Sequence, residues 1–406
     1  MGPFVDGSVD SRFTPLARAF EATLCTEGEL GMSLCVTLHG QVVVDCFGGL
    51  AEPSSGRRWE RDTICVAWSC VKGATALCAH LLSDRGVIEL DAPVATYWPE
   101  FAAAGKEAIT VRMLLNHQAG LLALRERVPR AGLLDWERTT QALAREAPFW
   151  EPGTQHGYHV LTFGFLVGEV VRRASGRRIS EFFRAEIAAP LGLDFWMSLP
   201  ENEEERVVKA VLAPASPGEP LSSFTKALFV PGSLQAHVLN CGDIFAPEIY
   251  DSRAAHAAEL PSSGGITNAR GLAGLYQPLA CRGRFGERGL ISEQAIVEMS
   301  RVSSAGKDAC SLVPTRFALG FQKRMDNRRE EPGDRGEFLI PETAFGHMGI
   351  GGSVGFADPA TGLSFGFVTN RGCRAGLLDR RAQSLIDTTY ACLGARDPRA
   401  ASLPPE

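Results

Sequence analysis

Two β-hairpin patterns, one near each end of the chain, constrain the fold more than anything between them. Near the N-terminus, "MSLCVTLHGQVVVDCFGG" sets two β-branched-rich runs around the turn-forming dipeptide His39-Gly40, a hairpin signal. Just ahead of it, "PLARAFEATLC" (Pro15 to Cys25) spaces its apolar residues as one face of a helix. Near the C-terminus the order is reversed. "GSVGFADPATGLSFGFVTNR" (Gly352 to Arg371) is a second hairpin, with Asp358-Pro359 and Thr361-Gly362 in its turn, and the amphipathic "RRAQSLIDTTYACLG" follows. Hairpins at both ends, each adjoining one amphipathic helix, are most simply joined into one antiparallel sheet flanked by terminal helices.

Between the hairpins the pattern turns helical, through "ALCAHLLSDRG", "TVRMLLNHQAGL", "LTFGFLVGEVVRRASG" and "ISEFFRAEIAAPLG". The expected organisation is an α/β domain of the α+β kind built from residues 1–80 and 265–406, and a mostly helical domain at 81–264. Two loop-like breaks interrupt the middle, "APASPGEPLSS" (Ala213 to Ser223) and "LPSSGG" (Leu260 to Gly265). The final "DPRAASLPPE" reads as a disordered tail.

Composition narrows the partners. The formal net charge is -6 with acidic and basic residues interspersed, so no basic stripe is available for a phosphate backbone, and nucleic acid is not expected. "MGPFVDGSVDSRF" lacks the basic and apolar regions of a signal peptide, and no apolar run is long enough to cross a bilayer. The expectation is a cytoplasmic protein with no membrane partner. Eleven cysteines without a C-x-x-C pair, several within apolar patterns (Cys35, Cys65, Cys78), read as buried free thiols.

The chain holds the Ser-x-x-Lys spacing three times, at Ser69/Lys72, Ser223/Lys226 and Ser304/Lys307. Chemistry needs the serine at the first turn of a helix, where i and i+3 share a face and the unpaired N–H groups favour developing negative charge. Only Ser69 has that setting. Ala74, Leu77, Cys78, Leu81 and Leu82 form the stripe of a core helix, which puts Lys72 one turn in and desolvated. Burial disfavours an ammonium, so such a lysine can accept the serine proton. Ser223 and Ser304 read as surface positions. A rival, Ser353 in "GIGGSVGF", spells G-x-S-x-G, but a hairpin follows it and His347 is the last histidine, so it reads as a small residue entering a strand. His156 and His159 are i, i+3 without a carboxylate or cysteine at ligand spacing, so no metal site is assigned.

Taken together, "WSCVKG", "LDAPVATYWPEF" with "ITVRMLLNHQAGL", "EPGTQHGYHVLTFGFLVGEVVRRASG" and "FGHMGIGGSVGFADPATGLSFGFVTN" resemble, in family order, the serine β-lactamase-like superfamily. The branch is the class C β-lactamase-like one that includes family VIII carboxylesterases and statin-type acyltransferases. The resemblance implies a β-lactamase/transpeptidase-like fold. It makes Ser69 the acylated nucleophile, Lys72 its proton acceptor and Tyr158 the partner that shuttles protons with Lys72. His347-Met348-Gly349 stands where the family has Lys-Thr-Gly or His-x-Gly, so the backbone N–H groups of Ser69 and Ile350 are implied as the oxyanion hole. His347, Met348, Gly349, Trp68 and His159 are the implied substrate-binding residues.

The departures bear on substrate. Where β-lactamases of this type carry Tyr-x-Asn, this chain has Tyr158-His159-Val160, so the amide that would hold a β-lactam side chain is missing. Trp68, Cys70 and Met348 read as bulky apolar groups crowding the nucleophile. The expected function is hydrolysis of small-molecule carboxylic esters through a Ser69 acyl-enzyme, without cofactor or metal, and with β-lactam hydrolysis at most weak. Transfer of the acyl group to an alcohol or amine is the alternative, since the same residues serve both and water exclusion decides. A non-catalytic acyl-binding or sensor protein is the third reading.

Overall fold

A computed structural model describes residues 5–25, 30–212, 218, 220–372 and 380–394 of the chain. The terminal hairpins fold as their sequences dictate. Strands β2 (Gly31–Leu38) and β3 (Gln41–Glu52) are joined by His39 and Gly40 at φ 48° and 81°, the left-handed pair that a tight hairpin turn requires. The second hairpin pairs strands Val354–Asp358 and Leu363–Thr369. Helix α1 (Thr14–Leu24) precedes the first hairpin, and the helix Arg380–Cys392 follows the second. The tail from residue 395 lies outside the described residues.

The two ends meet in one antiparallel sheet. Its order is β1 (Val5–Val9), β3, β2, Leu363–Thr369, Val354–Asp358 and Phe345–Met348, with β4 (Arg57–Arg58) on β3. The register lines up cross-strand rows. His347, Gly355, Gly366, Cys35 and Asp45 form one, and Met348, Val354, Phe367, Leu34 and Cys46 the next. Neighbouring rows face opposite sides of a sheet. The Met348 row belongs to the apolar cluster that includes Leu16 and Phe20 of α1 and Leu385 and Ile386 of the C-terminal helix. The other row lies under the helix Ala269–Ala280. A Cβ built on Gly366 would sit 2.4 Å from Ala269 O, so the small residues let helix and sheet approach closely.

Helix α2 (Val71–Asp84) differs from its expected single stripe. Every residue from Val71 to Leu82 is buried, as in a helix packed on all sides, and His80 meets its burial by a 2.8 Å hydrogen bond with Leu319 O. "TVRMLLNHQAGL" is helical only as α3 (Val111–Leu115), because the Asn116 side chain engages Gln118 and His117 turns to φ 64°. Between α3 and α4 (Trp136–Arg145) the chain is mostly turn. The third expected helix is α5 (Thr162–Ser175), ended by Gly176 at φ 72°.

A second, four-stranded sheet sets β5 (Ile64–Val66) among the short strands Phe195–Trp196, Val207–Val208 and Ile266–Thr267, drawn from the chain's middle and C-terminal half. It delivers the chain directly to Ser69. Cys35, Cys65 and Cys78 are buried and free, and burial pushes the Cys65 thiol up to about 12.

Candidate active site

The chain leaves β5 through a single sharp bend. Trp68 sits at φ 51°, a conformation costly for a bulky residue, and starts the 3-10 turn Trp68–Cys70 that runs straight into α2. Ser69 lies on that turn, half-buried, with Lys72 in the first turn of α2 and fully buried.

Lys72 Nζ lies 3.2 Å from Ser69 Oγ and donates to two backbone carbonyls, Val160 O at 2.7 Å and Ser262 O at 2.8 Å. Burial, the largest effect, drives its ammonium well below the usual lysine range. With two of its positions fixed on carbonyls, the nitrogen directs its third at Ser69 Oγ.

Tyr158 closes the group from the far side of the chain. Its ring lies 4.9 Å beneath Lys72 Nζ, and its phenol faces Ser69 electrostatically. Burial raises its ionisation well above the usual phenol value, so it holds its proton.

The strand Phe345–Met348 packs against the turn that carries Ser69. Cys70 Sγ donates to His347 O at 3.4 Å, and a Cβ on Gly349 would sit 2.4 Å from Ala67 O. Gly349 leads into a turn closed by Gly352 N–H donating to Gly349 O at 3.1 Å, with half-exposed Ile350 at its crest. The Ile350 N–H has no hydrogen-bond acceptor among the described residues.

His347 is buried. Its Nδ1 is bonded to Met348 O at 2.7 Å, its Nε2 has no partner among the described residues, and its ring lies 6.0 Å from that of Tyr158. Burial, then the charge of Lys72, pushes it down to about 3, so the imidazole is neutral.

Several expected neighbours turn elsewhere. Met348 follows His347 on a strand, so its side chain enters the apolar layer under α1 rather than the site. Cys70 points under the strand, not toward substrate. His159 is buried and spends Nδ1 on Gly157 O at 2.7 Å and Nε2 on the Leu121 N–H at 3.0 Å, so it fixes a loop and has no nitrogen left for a ligand. Trp68 packs edge-on against Tyr250 with ring centroids 4.9 Å apart. Ser304, expected at the surface, is buried because its hydroxyl donates to Asn116 O at 2.8 Å. Ser223 is half-buried, its hydroxyl on Asp334. Ser353 is buried just ahead of its strand.

Three residues that sequence reasoning passed over complete the surroundings. Buried Asp308 accepts the Tyr158 N–H at 3.0 Å and the N–H groups of Cys310 and Ser311 at 2.8 Å. Ser262 supplies a carbonyl to Lys72, and its hydroxyl bridges Leu161 O and Gly164 N–H, each at 2.6 Å. His117 accepts the His159 N–H at 3.2 Å and packs edge-on to Tyr158. Their only trace in the sequence is the loop-like "LPSSGG"; Asp308 and His117 stand at no diagnostic spacing.

The chain is 32% identical over 385 residues, 91% of its length and 84% of the other's, to the Esterase/beta-lactamase LipL of Mycobacterium tuberculosis. It superposes on a family VIII carboxylesterase with a TM-score of 0.85 at 35% identity, covering 96% of this chain and 100% of that one. A penicillin-binding protein homolog from Caulobacter crescentus gives 0.83 at 34% identity, covering 96% and 100%. The Beta-lactamase family model matches residues 16–388. That span takes in both terminal hairpins and the helical stretch between them, so the chain belongs to the beta-lactamase family.

Proposed function

We propose that the protein is a serine esterase that cleaves small-molecule carboxylic esters through an acyl-enzyme on Ser69. The observation that carries this reading is the buried Lys72 amine, its two protons held by Val160 O and Ser262 O and its third position directed at Ser69 Oγ. Such an amine takes the serine proton as Oγ attacks the ester carbonyl. The Tyr158 phenol, whose ring lies against Lys72 Nζ, donates its proton to the departing alkoxide and recovers one from the lysine. We assign the base role to the pair, since groups this close titrate together. The N–H groups of Ser69 and Ile350 receive the oxyanion, and donors so placed are worth about 3 kcal/mol each. Water then enters by the same proton path and releases the acid.

The esterases among the relatives support the substrate class. Esters rank ahead of β-lactams because Val160 offers an isopropyl group where a lactam side chain needs an amide.

The test is direct. A short-chain p-nitrophenyl ester and a fluorophosphonate are each incubated with the parent and with Ser69→Ala, and nitrophenol release and intact mass are read. We expect one covalent adduct on the parent and none on the mutant. Equal labelling of both would remove Ser69 as nucleophile. Added small alcohols report on transfer: a new ester product with faster nitrophenol release would make the enzyme an acyltransferase.

A further inference from the structure

We propose that a narrow apolar pocket beside the nucleophile turn binds a hydroxyl group carried on a short arm of the ester, with His256 Nε2 as its acceptor. The proposal rests on the esterase reading above and extends it to substrate choice.

The pocket is lined by chain neighbours of two residues of the site. Trp68, the residue before Ser69, forms one wall, and Ser263, the residue after the Ser262 carbonyl that holds Lys72, forms another. Ile244, Phe245 and Leu260 make the remaining surface mostly apolar. His256 also lines it, 5% exposed. Its Nδ1 lies 2.7 Å from Glu204 Oε1, and Glu204 is itself paired with Arg253. A carboxylate at Nδ1 orients the ring, and the tautomer that donates Nδ1–H to it carries the lone pair on Nε2.

That Nε2 is buried and has no partner among the described residues. The Tyr250 hydroxyl in the same wall does not serve it, because it donates to Ala210 O at 3.2 Å. A buried acceptor without a donor favours a ligand that brings one. Apolar walls penalise an ammonium, and an amide N–H would bring a carbonyl that also needs a partner. A hydroxyl supplies the single donor with the least polar surface to desolvate.

The hydroxyl can sit on the acyl or the alcohol side of the ester, and two substrate pairs separate these. One compares p-nitrophenyl β-hydroxybutyrate with p-nitrophenyl butyrate. The other compares hydroxyethyl butyrate with propyl butyrate. In one pair we expect the parent to favour the hydroxylated ester by about tenfold in kcat/KM. His256→Leu brings that ratio to about one, and His256→Gln, whose amide oxygen replaces the acceptor, restores most of it.

Should His256→Leu fail to fold, Ala255→Val adds bulk to the same wall without touching the imidazole and carries the same expectation. A parent indifferent to the hydroxyl in both pairs, or a preference that survives His256→Leu or Ala255→Val, overturns the site and leaves the pocket to water. Fluorophosphonate labelling of Ser69 keeps the two readings apart. A parent that is neither labelled nor active fails as an esterase, whereas one that is labelled and active but indifferent to the hydroxyl fails only here.

Discussion

At the scale of single residues, the proposed chemistry depends on a proton that can leave Ser69 at neutral pH. Burial depresses the folded-state ionisation of Lys72, so the amine form persists well below the pH at which a free lysine would be charged. The expected kcat/KM profile therefore has an acid limb far below the ordinary lysine range, with activity lost as pH falls through the Lys72 value in the fold. Above that limb the rate is level until the Tyr158 phenol, raised by burial, ionises. His347 sits at about 3 and adds no limb at working pH. A profile whose acid limb lies in the free-lysine range would refute a neutral Lys72. Tyr158→Phe keeps the ring but removes the transferable proton, and we expect a kcat loss of ~10²–10⁴-fold. A Phe variant as fast as the parent removes the phenol from the reaction.

At the scale of elements, the proposed site depends on how closely the Ser69 turn and the strand Phe345–Met348 abut. The side-chain hydrogen at Gly349 is what allows that approach. A Cβ there would press on Ala67 O, a backbone atom that cannot rotate aside, so Gly349→Ala must move the strand and the Ile350 N–H with it. With one oxyanion donor misplaced, kcat is expected to fall ~10²–10³-fold while circular dichroism stays that of the parent. An Ala variant with parental kcat would show that the Ile350 N–H is not used. The Ser-x-x-Lys spacing was legible locally, because i and i+3 on a helical turn are neighbours in any fold. The facing of its companions was not. Met348, Cys70 and His159 share apolar or polar character with real pocket residues, and only strand alternation and hydrogen-bond partners showed that they point away.

At the scale of the whole molecule, the helix Ala269–Ala280 and the sheet must pack closely for His347 to reach the site from the sheet edge. Gly366→Val would place its Cβ 2.4 Å from Ala269 O and 2.5 Å from Ala273 N. We expect a loss of about 1–3 kcal/mol in urea unfolding, with Ser69 labelling retained in the folded fraction. Unchanged stability would mean that helix and sheet can separate at no cost.

The hairpins, the terminal helices and the order of the motifs were readable because turn chemistry and hydrophobic periodicity are short-range properties, written in adjacent residues. The carbonyls that hold Lys72 come from Val160 and Ser262, 88 and 190 residues away in the chain, and they act through backbone atoms that any side chain could accompany. The sequence by itself therefore determined the fold and singled out the serine proposed as nucleophile. Only the tertiary structure decided what surrounds it, because burial and partnership are properties of packing rather than of residue type.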